Sequence, residues 1–142
     1  MDYRLNNEGI VACVIAQVVS RGSYDIPFVT GMTNLLLQDR IRKKAIATMA
    51  DQVEELKLLL GQLDGMLFGV IVNSMTMLIE GECLRRAGDR LELTMRGIRL
   101  CQNMEDGKCE YLSQMIRDLD RILFKYEVID ICSLYQQYWI AL

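Results

Sequence analysis

The hydrophobic pattern of this chain changes its period only once. Along most of the sequence, apolar residues recur at intervals of three or four, which is the spacing of helices that bury one face. In the stretch GDRLELTMRGIRLC (residues 88–101), apolar and polar residues alternate instead, so that Leu91 and Leu93 share one face. Alternation is typical of a half-buried strand, and Gly97 offers a turn within the stretch. The pattern predicts a helical chain with one small β-hairpin at about residues 90–101.

Helix start and stop signals divide the rest of the chain into helical segments. Asn6 or Asn7 can cap the first helix, and Asp25 precedes the only proline, Pro27, which a helix tolerates in its first turn. Helices are predicted at about residues 7–21, 27–38, 40–60, 64–84, 109–126 and 128–138. The fourth of these is apolar on nearly every side, so we expect it at the centre of the fold. We therefore predict a single α+β domain over residues 1–142, mostly helical and winged-helix-like, with one small β-hairpin.

The composition is that of a compact folded protein. The chain has 142 residues, of which 51% are hydrophobic, so it can bury a core of ordinary size. A formal net charge of -3 argues against a protein that coats nucleic acid through an excess of Lys and Arg. The longest apolar run, at residues 66–79, is too short for a membrane span and contains Asn73 and Ser74. No signal peptide pattern is recognised at the start, so we expect a cytoplasmic protein without membrane contact.

The side-chain inventory argues against most enzyme classes. The chain contains no histidine, which excludes Ser-His and Cys-His nucleophile pairs, and it has no glycine-rich phosphate-binding motif. None of the cysteines forms a C-x-x-C pair, so neither a metal site nor a cofactor is expected. We expect them to be small, reduced, buried side chains. The five cysteines are Cys13, Cys83, Cys101, Cys109 and Cys132. The sequence therefore predicts a non-catalytic protein.

Two clusters of basic residues are candidate contacts to DNA or to an acidic partner. They lie in QDRIRKKA and around CLRRAGDR, the second just before the predicted hairpin. The candidates are Arg40, Arg42, Lys43 and Lys44 in the first cluster and Arg85, Arg86, Arg96 and Arg99 in the second. In a winged-helix DNA binder, a recognition helix enters the major groove and the hairpin contacts phosphates. The helix predicted before the hairpin offers only Asn73 and Ser74 for hydrogen bonds to base edges, which argues against this role.

The supply of apolar and aromatic side chains suggests a protein partner. The chain has nine methionines, and it closes with an apolar, aromatic segment, YEVIDICSLYQQYWIAL. Methionine and large aromatic residues are enriched at protein interfaces, where a few aromatic anchors carry most of the binding energy. The alternative is that these side chains fill the core of their own domain. The predicted partner-binding residues are Leu134, Tyr135, Tyr138 and Trp139.

The order of these features resembles a known family. The stretches that carry the resemblance are LNNEGIVACVIAQVV, YDIPFVTGMTNLLLQDRIRKKA, DGMLFGVIVNSMTMLIEGECLRRAGDRLELT and LDRILFKYEVIDICSLYQQYWI. In this order they resemble the middle component of three-component ABC-ATPase systems, as in Lamassu-type bacterial defence. The resemblance implies a small non-catalytic subunit that binds an SMC-like ABC ATPase and an effector subunit, commonly a nuclease, in defence against phage or plasmids.

Three hypotheses about function follow from the sequence. The first is a bridging subunit, which accounts together for the missing catalytic groups and the surplus of apolar side chains. The second is a winged-helix DNA-binding transcriptional regulator, which depends on the two basic clusters. The third is a helical adaptor or chaperone from a secretion or viral system. We take the bridging subunit as the leading hypothesis, with DNA contact within the complex left open.

Overall fold

A computed structural model describes residues 7–104 and 110–129 of the chain. These residues form seven helices and one two-stranded antiparallel sheet. The elements are α1 (Asn7–Ser20), α2 (Ile26–Leu37), α3 (Asp39–Ala47), α4 (Val53–Leu60), α5 (Gly65–Glu80), β1 (Leu84–Ala87), β2 (Arg90–Leu93), α6 (Met95–Met104) and α7 (Glu110–Tyr126). The prediction of a mostly helical α+β fold with one hairpin is confirmed. The helix predicted at about 128–138 lies outside the described residues from residue 130 onward.

The centre of the fold is α2. The Asp25 carboxylate caps this helix by accepting a hydrogen bond from the backbone N–H of Phe28 at 2.9 Å, and Pro27 lies in its first turn. All residues of α2 from 28 to 36 are buried, because α1, α3, α5 and α7 pack around it. The prediction that the helix at 64–84 is central was wrong. That segment ends as a helix at Glu80, and one face of α5 is exposed to solvent.

Helix α7 closes the core with an amphipathic face. Its buried residues include Met115, Leu119 and Ile122, which recur at three or four and pack in the same apolar core as α1 and α2. At its end, the hydroxyl of Tyr126 donates a hydrogen bond to the backbone carbonyl of Leu56 at 3.1 Å, which ties α7 to α4. Burial raises the pKa of Tyr126 well above its ordinary value, so this hydroxyl stays protonated.

The single helix predicted at 40–60 is two helices, because a lysine from α7 occupies the carbonyls that a continuous helix would use. The Lys125 ammonium donates hydrogen bonds to the backbone carbonyls of Ala45, Ile46 and Thr48 at 3.0, 2.9 and 2.8 Å. In an unbroken helix, these carbonyls would accept from N–H groups four residues further on. A cation at a helix C-terminus also complements the helix dipole. Helix α3 therefore ends at Ala47.

The hairpin lies at residues 84–93 and not at 90–101 as predicted. The register pairs Leu84 with Leu93 and Ala87 with Arg90, so the turn is formed by Gly88 and residue 89. Gly88 has φ +66°, and a glycine with positive φ at the first central position is the arrangement of a type II′ turn. The alternation noticed in the sequence is therefore real in β2, but it does not continue as a second strand.

Residues beyond β2 form helix α6 because Thr94 caps it. The Thr94 hydroxyl accepts a hydrogen bond from the backbone N–H of Gly97 at 3.2 Å, as an N-cap side chain does. Gly97 lies in the first turn of α6 and packs so closely on the preceding segment that an added Cβ would lie 2.2 Å from the carbonyl oxygen of Cys83. The glycine predicted to turn a hairpin therefore allows a helix to pack against residue 83.

Candidate interaction surfaces

One face of α5 exposes a line of mainly apolar side chains, here called the α5 stripe and made of Met66, Val70, Asn73 and Met77. Helix α5 begins after Asp64, whose carboxylate accepts from the N–H of Met66 at 2.9 Å. Met66, Val70 and Met77 are 84%, 37% and 58% exposed. At 3.6 residues per turn, the four positions fall on one side of the helix. The opposite side packs into the core through Phe68, Ile71 and Met75.

The first basic cluster divides into one buried and three exposed residues. Arg42 is only 4% exposed, and its guanidinium Nε donates to a carboxylate oxygen of Asp118, itself 4% exposed, at 2.9 Å. A second nitrogen of Arg42 lies 2.8 Å from Asp39, and a third donates to the backbone carbonyl of Leu36 at 2.5 Å. The prediction of Arg42 as a surface contact was wrong, because the side chain points toward α7. The exposed members are Arg40, Lys43 and Lys44 on the outer face of α3.

Asp118 and Tyr111 complete the surroundings of this buried guanidinium. The amide of Gln114 donates to the other carboxylate oxygen of Asp118 at 2.9 Å. The Tyr111 ring lies under the guanidinium, with its centroid 5.9 Å from the Arg42 Cζ, and its hydroxyl donates to Asp39 at 3.1 Å. Burial and the nearby Asp39 carboxylate raise the pKa of Tyr111. These contacts form a closed network that joins α2, α3 and α7, so it has a structural role.

Three of the four arginines in the second cluster line one shallow groove. The groove has a volume of about 600 Å³ and lies between the end of α5, strand β1 and the start of α6. We call it the basic groove, and it is lined by Ile79, Glu82, Leu84, Arg85, Arg86, Thr94, Met95 and Arg96. The fourth candidate, Arg99, is exposed on α6 and does not line the groove. Sequence reasoning identified these arginines but placed three of them in or just before a hairpin at the wrong position.

Local contacts hold the arginines of the basic groove in place. Arg85 forms an ion pair across the hairpin with Glu92, and this hydrogen bond raises the pKa of the guanidinium above its already high value. The Arg86 side chain donates to the backbone carbonyl of Gly88 at 2.9 Å. Arg96 donates to the carbonyl of Gly81 at 3.3 Å and lies 3.9 Å from the carboxylate of Glu82. Three guanidinium groups and one carboxylate therefore line the groove.

The two edges of the hairpin differ. The edge of β2 is covered by the segment between α1 and α2, since the N–H of Leu91 donates to the Tyr24 carbonyl at 3.3 Å and the N–H of Ile26 donates to the Asp89 carbonyl at 3.0 Å. In an antiparallel pair of strands, successive residues direct their backbone N–H and C=O groups to opposite sides of the strand. Leu84 and Arg86 direct theirs away from β2. Within residues 7–104 and 110–129, no segment pairs with this outer edge of β1. Leu84 is nevertheless buried, so of these two residues only Arg86 is exposed.

The predicted partner-binding residues Leu134, Tyr135, Tyr138 and Trp139 lie outside the described residues. In the part of the chain that the structure describes, no group of three or more Cys, Asp or Glu side chains could hold a metal ion. No single helix of that part is long and apolar enough to cross a membrane; α4 and α5 satisfy length and composition only as a pair, with a bend of 80° between them.

Comparison with protein-family models, with curated proteins and with solved structures found no match for this chain. The resemblance to the middle component of three-component ABC-ATPase systems and the relation to winged-helix domains therefore stay predictions from the sequence.

Proposed function

We propose that this chain is a non-catalytic, cytoplasmic bridging subunit that binds two other proteins through separate surfaces. The resemblance noted in the sequence suggests that these two proteins are an SMC-like ABC ATPase and an effector subunit, commonly a nuclease, in an anti-phage or anti-plasmid defence complex. The observation that carries the proposal is the α5 stripe. It is an ordered, apolar helix face exposed beside a well-packed core.

The α5 stripe has the spacing of a helix-packing seam. Met66, Val70, Asn73 and Met77 follow one another at intervals of four, three and four residues, which is how one helix presents a ridge to another. Burying an apolar side chain of this size contributes about 1.5–3 kcal/mol. Methionine is flexible and polarisable, so it adapts to an irregular partner surface. A partner that fits this face presents an apolar helix.

The geometry favours a protein partner over duplex DNA. In a winged-helix regulator the helix that reads bases is polar on its outer face, whereas three of the four residues of the α5 stripe are apolar and only Asn73 can bond a base edge. In the first basic cluster, Arg42 is not available to contact DNA, because it is paired with Asp118 in the buried network. Arg40, Lys43 and Lys44 remain exposed on α3. They are the residues that would contact DNA, either within the assembled complex or in the alternative, a DNA-binding regulator.

The test is co-purification of the tagged chain with the ABC-ATPase and effector products of neighbouring genes. Val70→Asp and Met77→Asp place a charge in the stripe, and each is expected to weaken the complex by about tenfold or more, because burying an unpaired carboxylate in an apolar interface costs more than about 1.4 kcal/mol. Met49→Asp is the matched control, since Met49 is an exposed methionine in the loop between α3 and α4. It should leave the complex intact.

Three outcomes would contradict the proposal. A complex that forms equally well with Val70→Asp and Met77→Asp together would show that the α5 stripe is not the docking face. Tight binding of the isolated chain to duplex DNA, lost when Lys43 and Lys44 are replaced by Glu, would instead support the DNA-binding regulator. A transient association that leaves no stable stoichiometric complex would support the adaptor or chaperone hypothesis. The melting temperature of each variant must stay close to that of the parent chain for these comparisons to count.

A further inference from the structure

The solvent-facing sides of α3 and α7 form a surface distinct from the α5 stripe and from the basic groove. We infer that this surface binds the phosphate backbone of double-stranded DNA without reading its sequence. The choice of DNA rests on the proposed function, because the inference extends the DNA contact of α3 within the complex to a second helix. The surface, here called the α3–α7 surface, is made of Arg40, Lys43, Lys44, Arg117 and Arg121.

The first argument is the position of α3 beside α7. The Tyr111 hydroxyl donates to Asp39 at the start of α3, at 3.1 Å. Further along, Arg42 pairs with Asp118 at 2.9 Å, and Lys125 donates to the last carbonyls of α3. These contacts advance along both helices together, so the helices run side by side in the same direction. Residues 111, 118 and 125 are spaced by two helical turns and form one line along α7, which faces α3.

The second argument is the direction of the cations. A helix turns by about 100° per residue, so Arg117 and Arg121 lie on one side of the line that faces α3, and the buried Leu119 lies on the other. On α3, Lys43 lies on the outward side of the residues that face α7, and the buried Ile41 lies on the core side. All members of the α3–α7 surface are exposed. The outward sides of the two helices therefore form one continuous surface.

The third argument is the charge of this surface. Among the residues that the structure describes, none of its cations forms an ion pair with a carboxylate. The carboxylates of Asp39 and Asp118 are already bonded to Arg42, and that of Asp120 is paired with an arginine at the end of α1. Of the carboxylates on the two helices, only that of Glu110 has no such pair. The chain has a net charge of -3, so a polyanion is attracted to this surface and repelled by the rest of the molecule.

The absence of apolar groups identifies the occupant. Within the described helices α3 and α7, no large hydrophobic side chain is exposed before Phe124, whereas the centre of a protein interface is apolar. Single-stranded nucleic acid is bound by stacking on exposed aromatic rings, but the ring of Tyr111 lies under the Arg42 guanidinium. Contacts of lysine and arginine to phosphates need neither feature and carry no sequence information. The surface therefore favours the backbone of a duplex.

The experiment measures binding of fluorescein-labelled DNA duplexes of about 20 base pairs to the full chain by fluorescence anisotropy, at several salt concentrations. Two duplexes of unrelated sequence are expected to bind with equal, micromolar affinity. The logarithm of the affinity should fall linearly with the logarithm of the salt concentration, with a slope of about -4 for the cations of the surface. If one duplex binds about a hundredfold more tightly than the other, base edges are read and the inference is wrong.

Paired variants test whether α7 belongs to the surface. Arg117→Gln combined with Arg121→Gln removes two phosphate contacts, so the duplex is expected to bind about tenfold more weakly and the salt slope to fall by about two. Arg117→Lys combined with Arg121→Lys keeps both charges and should keep the slope. The matched control is Arg86→Gln combined with Arg99→Gln, which lowers the net charge equally on residues outside the α3–α7 surface. Its affinity should stay within about twofold of the parent chain.

Three results would overturn the inference. The first is equal weakening by the α7 pair and the control pair, because binding would then follow the total charge and not this surface. The second is tighter binding of a thymidine oligonucleotide than of the duplex, and the third is tighter binding of a polyglutamate peptide, which would assign the surface to an acidic protein. Should the α7 pair of glutamines fail to fold, Lys43→Gln with Lys44→Gln must lower the salt slope by about two instead, and an unchanged slope would also overturn the inference.

The DNA result and the complex can fail separately, because the duplex is offered to the chain alone. Loss of the complex on Met77→Asp with no DNA binding would leave the bridging function intact and remove this inference. Sequence-independent DNA binding without any complex would retain the α3–α7 surface and remove the bridging function. Met77→Asp lies on α5, so it should leave the affinity for the duplex within about twofold of the parent chain.

Discussion

At the scale of single residues, two buried threonines on α2 differ in their hydrogen bonding. The hydroxyl of Thr30 donates to the backbone carbonyl of Ile26 at 2.7 Å, as threonine in a helix commonly does. The hydroxyl of Thr33 is fully buried and has no hydrogen-bond partner among the residues that the structure describes. A buried polar group without a hydrogen-bond partner has lost its hydrogen bonds to water without any replacement, so the Thr33 hydroxyl lowers the stability of the fold.

Replacing Thr33 with Val should therefore stabilise the protein. The substitution keeps the side-chain shape and removes the unsatisfied hydroxyl, so the free energy of unfolding is expected to rise by about 1 kcal/mol. The control is Thr30→Val, which breaks the hydrogen bond to Ile26 and should lower it by about 1 kcal/mol. Urea denaturation with an unchanged slope measures both. A loss of stability in Thr33→Val comparable to that in Thr30→Val would contradict the argument.

Tyr24 gives the protein a defined dependence on alkaline pH. Its hydroxyl donates to Glu127 at 2.7 Å, and burial, this hydrogen bond and the Glu127 charge together raise the pKa of Tyr24 from 10.0 to about 12. Because the pKa is higher in the folded state, the contribution of Tyr24 to stability is complete below pH 10 and is lost as the pH rises toward about 12. In this window, Tyr24→Phe should lose stability less steeply than the parent chain.

The measurement is the difference in unfolding free energy between Tyr24→Phe and the parent chain at a series of pH values. The variant starts lower at neutral pH because it lacks the hydrogen bond, and the two curves should converge above pH 10. The pKa values of Tyr111 and Tyr126 are also raised by burial, but both residues are present in both proteins and cancel in the difference. Parallel curves would show that Tyr24 titrates normally.

At the scale of secondary-structure elements, the Arg42–Asp118 pair joins α3 to α7. Both side chains are 4% exposed, so removing Asp118 leaves the Arg42 guanidinium buried with the more exposed Asp39 as its remaining carboxylate partner. Asp118→Ala should lower the free energy of unfolding by about 3 kcal/mol, the lower end of the range for a broken buried ion pair, because Asp39 still contacts Arg42. The double variant Arg42→Met with Asp118→Leu removes both charges and should recover most of that loss. A double-mutant cycle in urea tests this; additive losses would contradict the coupling. If Asp118→Ala does not fold at all, recovery of helical circular dichroism in the double variant is the readout.

Two glycines in helices make a second comparison at this scale. Gly97 in α6 faces the Cys83 carbonyl so closely that a Cβ would clash at 2.2 Å, whereas a Cβ at Gly69 in α5 would meet nothing within 4 Å. Gly97→Ala should separate α6 from the hairpin and lower stability by about 1–3 kcal/mol. Gly69→Ala should raise stability by up to about 1 kcal/mol, because alanine favours helix over glycine. Thermal denaturation distinguishes them, and an equal response would show that α6 shifts freely.

The elements show which features the sequence can predict. Start and stop signals identified α1, α2 and α5 in the sequence, and the recurrence of apolar residues at intervals of three or four identified α7. The break after α3 was not predicted, since it depends on Lys125, which is 80 residues from Ala45 in sequence. The hairpin was predicted too far along the chain, because the alternating apolar residues of β2 are followed directly by the apolar residues of α6, a helix that Thr94 caps. Neither the capping of α3 by Lys125 nor the close approach of Gly97 to Cys83 leaves a local pattern in the sequence.

The surfaces were predictable only in part. Arg42 was wrongly predicted as a surface contact, although its position three residues before the buried Ala45 places it beside the inner face of α3, whereas Arg40 and Lys43 are exposed. The α5 stripe could not be assigned from sequence, because a helix that is apolar on nearly every side does not indicate which face remains uncovered. The groove arginines could be named, but not their arrangement around one groove.

At the scale of the whole molecule, the burial of α2 predicts how the fold opens. Helix α2 packs against α1, α3, α5 and α7, so its amides exchange with solvent only when these contacts separate together. In native-state hydrogen exchange, the amides of α2 should be the slowest and should report the global free energy of unfolding. Helix α4 packs mainly on α3 and exposes Leu58, so its amides should exchange earlier. Slowest exchange in the amides of α5 would instead support the prediction that this helix is the centre of the fold.

The outer edge of β1, with which no described segment pairs, has a consequence for copies of this protein in a crowded cell. Two exposed edges of the same kind could join and seed a growing fibre, which is the usual hazard of such a strand. Here Arg85 and Arg86 of one copy would face those of another, and like charges directly opposite repel. The repulsion weakens as dissolved ions shorten its range. These guanidinium groups thus keep identical molecules apart, so self-polymerisation is opposed most strongly at low ionic strength.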